Sequence, residues 1–140
     1  MNNYIALGVS GIFAVLFLAC GLPLFLKKIK PNYLFGYRIS QYAMLDSDIW
    51  YAVNRLGGIH LLIIGAFLAI NTGFAWLGLD KNSNQELVLF IDLAILIIGG
   101  VYSTLAGIAY NNKLAKAKGL VNGDINNLAV KARLNKKINF

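Results

Sequence analysis

DIWYAVNRLGGIHLLIIGAFLAINTGFAWL, running from Asp48 to Leu77, decides the fold. Asp48 and Arg55 are its only side chains with a fixed charge, and beyond Arg55 it is almost wholly apolar. At 1.5 Å per residue its roughly 30 residues span about 45 Å as a helix. A bilayer's hydrocarbon core is only about 30 Å thick. The span proper therefore covers about 54–77, and the turns before it stand in the headgroup zone. Asp46-Ser47-Asp48 supplies good N-cap chemistry for this helix.

On either side lie two more runs of the same kind. Tyr4 to Leu26 is apolar enough to cross, with Pro23 in its last turn, and is closed by Lys27-Lys28-Ile29-Lys30. After a short turn at Asp80-Lys81-Asn82-Ser83-Asn84-Gln85, a third helix starts near Glu86, spans about 87–110 and continues in the wet zone to about Lys118. The whole chain agrees: 58% of its 140 residues are hydrophobic and 14% are charged. Soluble domains carry about 25% charged residues, so lipid must solvate part of this surface. The expected fold is all-α, a polytopic membrane protein with three transmembrane helices. One module fills residues 1–118, followed by a basic tail over 119–140. In that tail Asp124 caps either a surface helix with Ile125, Leu128 and Ala132 on one side, or no ordered structure.

The net charge of +7 is not a nucleic-acid footprint, because the cations flank the apolar runs instead of forming one face. They set orientation. Lys27, Lys28, Lys30 and Arg38 follow the first run, and Lys113, Lys116 and Lys118 follow the third. The opposite side has Lys81 alone. The expectation is N-terminus outside and C-terminus inside, in a bacterial cytoplasmic (inner) membrane. Cys20 is the only cysteine, which excludes an intrachain disulfide, and it reads as a small buried side chain of a retained helix.

Polar groups within spans are costly and are functional candidates by default. Counting depth by helical rise, Asp92 lies roughly 7 Å from the outer boundary, level with Asn71, Thr72 and Ser10. His60 falls much deeper, about 25 Å from that boundary, level with Ser103 and Thr104 and close to Cys20. Two separate layers result, which serve either as interhelical hydrogen bonds or as parts of a proton or ion path. A lone His without a His/Cys/Asp/Glu cluster speaks against a metal, and no cofactor motif or catalytic constellation occurs. Gly99, Ser103 and Gly107 form a small-residue stripe for close packing, either within the chain or against a second copy or partner.

The most unusual stretch is Pro31-Asn32-Tyr33-Leu34-Phe35-Gly36-Tyr37-Arg38, followed after ten residues by the entrance to the second helix. There Trp50 and Asn54 share one face, and Tyr51 and Arg55 the adjacent one. Gly36 permits a backbone conformation closed to other residues. It can aim Arg38 back at Asp46 or Asp48 for a charge-assisted pair. An ordered cytoplasmic loop capping the bundle is expected. In Lys30-Pro31-Asn32, Gly36-Tyr37-Arg38, Trp50 and Ala52-Val53-Asn54-Arg55 the chain resembles the SdpI family of small bacterial integral membrane proteins. The family often has Thr and Pro after the glycine turn, where Ile39-Ser40-Gln41 stands here.

From the residues themselves neither an enzyme nor a cofactor is expected, and the resemblance adds a role. It implies a membrane protein of immunity and signalling, of the kind that protects a cell from a secreted peptide toxin and holds a repressor at the membrane. The expected function is a non-enzymatic interaction module with the lipid bilayer and a peptide or membrane-protein partner, or a second copy, around it. The alternatives are an accessory subunit of a larger membrane complex and a small oligomeric transporter using His60 or Asp92.

Overall fold

The computed structural model describes residues 3–32, 34–37, 41–77 and 85–120. Arg38, the turn at 80–84 and the basic tail, where a surface helix is one of the two expectations, lie outside the described residues. Four helices follow in chain order: α1 Asn3–Phe25, α2 Gln41–Leu45, α3 Ser47–Leu77 and α4 Gln85–Ala117. Among the described residues no strand occurs. Leu7–Phe25, Ser47–Leu77 and Glu86–Ala117 are long and apolar enough to cross a membrane.

The polar periodicity of a water-soluble helix is missing from all three, because lipid replaces water around them. Their outward side chains are apolar, among them Ile12, Val15, Phe67, Phe74, Phe90 and Ile98. Without a hydrophobic drive between helices, association rests on close backbone approach and interhelical hydrogen bonds. α1 and α3 use the first. A Cβ on Gly58 would lie 2.5 Å from the Phe25 amide nitrogen and 2.8 Å from the Gly21 carbonyl oxygen, so the two backbones touch here. Gly65 receives Leu18 in the same crossing, and Gly99 of α4 receives the Ile64 side chain.

α1 ends where Lys27 turns left-handed at φ 56°. The Lys28 amide then bonds back to the Pro23 carbonyl at 3.0 Å and the Lys27 amide to Leu24 at 3.2 Å, occupying carbonyls that the helix end leaves free. α2 is a single short turn ahead of α3. Its Ala43 packs with Ile49, Trp50, Val53 and Ala115 in one buried cluster at this basic end of the bundle. A second cluster of Ala14, Ile64 and Leu68, with Ile95 and Leu96 of α4 packed against it, joins the three long helices nearer the opposite end. Cys20 is half-buried.

Candidate functional site: the capped basic end and the polar layers

The chain leaving α1 folds back over the entrance of α3. The Asn32 carboxamide oxygen accepts the amides of Leu34 (2.8 Å) and Phe35 (2.7 Å), and its nitrogen donates to the Lys30 carbonyl at 2.7 Å. This is an Asx-type turn, in which a short side chain replaces the backbone partner the loop lacks. Gly36 follows with φ 124°, where a Cβ would lie 2.5 Å from Asn54 Oδ1 and 2.9 Å from the Trp50 ring. Only glycine fits such a place.

Trp50 and Asn54 hold this loop from below. Trp50 Nε1 donates to the Ile29 carbonyl at 2.9 Å, and the Tyr37 amide donates to Asn54 Oδ1 at 2.6 Å. Asn54 Nδ2 donates in turn to the Trp50 carbonyl at 2.9 Å. Both side chains are buried, and each polar atom of Asn54 has a partner, as burial demands. The Tyr37 ring packs against Gly57, where a Cβ would come within 2.4 Å of it.

From there Tyr37 reaches into the bundle. Its hydroxyl shares a hydrogen bond with Ser103 Oγ, and the same oxygen meets His60 Nδ1 at 3.0 Å. The Tyr102 ring stands edge-on to the His60 ring at 5.3 Å between centroids. Loop, α3 and α4 are thus joined at one buried hydroxyl. Thr104, expected at this level, turns outward and bonds its own helix at the Gly100 carbonyl, 2.9 Å away.

The other layer stands apart. Asp92 of α4 accepts from Ser10 of α1 at Oδ2, and from Asn71 of α3 at Oδ1, 2.8 Å away. Asn71 Nδ2 also reaches the Val88 carbonyl at 3.3 Å. Thr72 bonds the Leu68 carbonyl of its own helix instead, at 2.8 Å. A cavity of about 160 Å³ lies beside Ser10 and Asp92. The stripe on α4 faces inward: Ser103 and Gly107 are buried within the chain, and Gly99 sits against Ile64.

At the rim of the cap, Lys118 Nζ lies 2.8 Å from both Asp46 and Asp48. Asp46 also caps α3, accepting the amides of Asp48 (2.9 Å) and Ile49 (3.0 Å). Burial pushes its carboxyl upward. The Lys118 ammonium and the two amides outweigh that and leave it below its ordinary 3.8. Bonding to Asp46 and Asp48 raises Lys118 above its ordinary 10.5. The partner expected for these carboxylates, Arg38, lies outside the described residues; among those described, Lys118, some seventy positions on in the chain, meets both.

Ser103 Oγ is held by two neighbours and is 3% exposed, and no carboxylate orients His60 among the described residues. No group of three metal-ligating side chains occurs among them either. What the cap presents outward is apolar: Leu34, held by the Asn32 turn, is 93% exposed.

The model of the SdpI/YfhL protein family matches residues 28–107. The matched stretch contains every residue of the network from Ile29 to Ser103. No curated protein and no solved structure matches the chain.

Proposed function

The chain belongs to the SdpI/YfhL family, and on that premise we propose that it is a non-enzymatic membrane interaction module of immunity and signalling. It sits in the bacterial inner membrane with the capped end in the cytoplasm, as the grouping of cations at that end supports. Its partner is a peptide or a membrane protein, engaged through the cap. One observation carries the reading: Trp50 and Asn54 are spent on fixing a loop that leaves Leu34 almost fully exposed on the surface of the cap. A bare apolar side chain on a rigid turn suits contact, and rigidity lowers the entropic cost of binding.

The test expresses the chain in cells sensitive to a secreted membrane-active peptide toxin, with a photo-crosslinking residue at position 34 or, as control, at lipid-facing position 98. Protection of the cells together with a discrete adduct from position 34 alone is expected. Sensitive cells and no adduct specific to position 34 overturn the proposal.

A second reading, an accessory subunit, draws on an apolar groove of about 400 Å³ between α3 and α4, lined by Ile63, Phe67, Phe90 and Ile98. Stoichiometric co-purification with another membrane protein would favour it. The transporter reading has the least support, since the Asp92 and His60 layers share no hydrogen bond among the described residues.

A further inference from the structure

Tyr51 and Arg55, on the face of α3 adjacent to the Trp50–Asn54 face, do not hold the loop. They line a cleft of about 550 Å³, together with Lys27 at the end of α1 and Tyr110 on α4. That volume lies within the range of about 300–1,000 Å³ usual for small-molecule sites. The cleft is graded. Its rim carries Lys27 and Arg55, while Leu56 and Ile59 form its apolar lower part. Along α3 it runs from Asp48 to Ile59, about 16 Å, from the polar end of the helix into the membrane-spanning part.

We propose that this cleft is a binding site for one anionic phospholipid, with the headgroup phosphate between Lys27 and Arg55 and an acyl chain along Leu56 and Ile59. The inference goes beyond the interaction module proposed above and does not depend on it.

Three observations carry it. Among the described residues neither Lys27 nor Arg55 has an ion-pair partner. The one carboxylate at the rim, Asp48, is taken by Lys118. Two cations thus remain for an anion.

Next, Arg55 is held in place: its guanidinium carbon lies 5.4 Å from the centre of the Phe25 ring. Stacked on that face, the guanidinium keeps its fork of N–H donors for phosphate oxygens, which it binds bidentately. The left-handed turn at Lys27 sets the second cation at the head of the same cleft.

Finally, the gradient selects the ligand class. A free anion would use only the rim and leave the apolar length empty. A neutral amphiphile would leave the cations unpaired. Tyr51 and Tyr110 fit the headgroup level, where amphipathic rings with a polar tip collect.

The full chain, delipidated in detergent, is titrated with phosphatidylglycerol, phosphatidylcholine or inorganic phosphate, and bound lipid is counted by native mass spectrometry. One phosphatidylglycerol per chain is expected to be retained most tightly. The double variant K27Q/R55Q should weaken it by about tenfold or more, since two charge-assisted contacts are lost and one alone is worth that factor. K113Q/K116Q removes the same charge from the same end of the bundle, on α4 outside the cleft, and should leave retention unchanged.

Ala52→Leu fills the cleft with every charge in place and should also lower retention. It keeps the test decisive should K27Q/R55Q fail to fold. Equal loss in K113Q/K116Q, retention undisturbed in A52L, equal binding of phosphatidylcholine, or displacement by inorganic phosphate at the lipid's own concentration would each overturn the proposal.

Discussion

Tyr37 and His60 meet on a single oxygen, Ser103 Oγ. The first belongs to the loop that caps the bundle and the second to a membrane-spanning helix. The fold of the cap is therefore bound to the packing of α3 against α4, and a change at either end of this chain of hydroxyl, hydroxyl and imidazole reaches the other.

Ser103→Ala leaves buried His60 Nδ1 and the half-buried Tyr37 hydroxyl without their shared partner, a loss of about 1–3 kcal/mol. Amide hydrogen exchange at Phe35 and Tyr37 should quicken in this variant although the substitution lies on α4. Unchanged exchange there would show that loop and helix are independent.

Gly57→Ala drives a methyl into the Tyr37 ring, and overpacking of this kind costs about 1–3 kcal/mol. Gly73 on the same helix has nothing within 4 Å of its Cβ position. Gly73→Ala should be neutral to slightly stabilising. Thermal unfolding in detergent micelles separates the two.

The Asp46–Lys118 contact has a defined pH window. Asp46 is lowered on folding, so its stabilisation is complete above its unfolded value near 3.8 and is lost as pH falls through the folded one. Lys118 is raised, so its share is complete below 10.5 and is lost as pH rises through its folded value. Stability from this contact should be flat across neutral pH. Asp46→Asn keeps an oxygen to cap α3 but removes the charge. The stability difference between parent and D46N should shrink only at acid and strongly alkaline pH.

Asp92 ties all three long helices, through Ser10 and Asn71. Interhelical hydrogen bonds in lipid contribute about 0.6–2 kcal/mol each, so Asp92→Ala should lower stability by about 1–3 kcal/mol. Asp92→Asn, which keeps an acceptor for Asn71, should lose less. A proton or ion flux in liposomes abolished by D92N, with stability intact, would reverse this structural reading.

The three long helices were readable to within a residue or two at most ends. α3 was expected from Asp48 and begins at Ser47. α4 was expected to extend to about Lys118 and ends at Ala117. Long apolar runs closed by Lys or Asp leave little choice in a bilayer. Depth arithmetic also placed Asp92 with Ser10 and Asn71, and His60 with Ser103, because rise per residue is fixed.

It could not tell which way a side chain turns at a given depth, and so grouped Thr72 and Thr104 with layers they do not join. α2 leaves no mark in the sequence, because five residues carry too little periodicity to register. The Lys118 contacts with Asp46 and Asp48 join residues about seventy apart in the chain, and no local pattern announces them. Nor does anything local announce the Tyr37 ring on Gly57, which depends on how the loop returns.

The bare-backbone crossing of Gly21 and Gly58 bears on how the molecule is made. A nascent chain that has emerged only as far as Leu77 already owns its tightest seam. α4 then arrives third and latches on through the Asp92 and Ser103 side chains and by seating Ile64 at Gly99, with Lys118 closing the far edge. A lesion at Gly58 should therefore stop assembly at the hairpin, whereas lesions in α4 should leave a two-helix product that is inserted but unlatched.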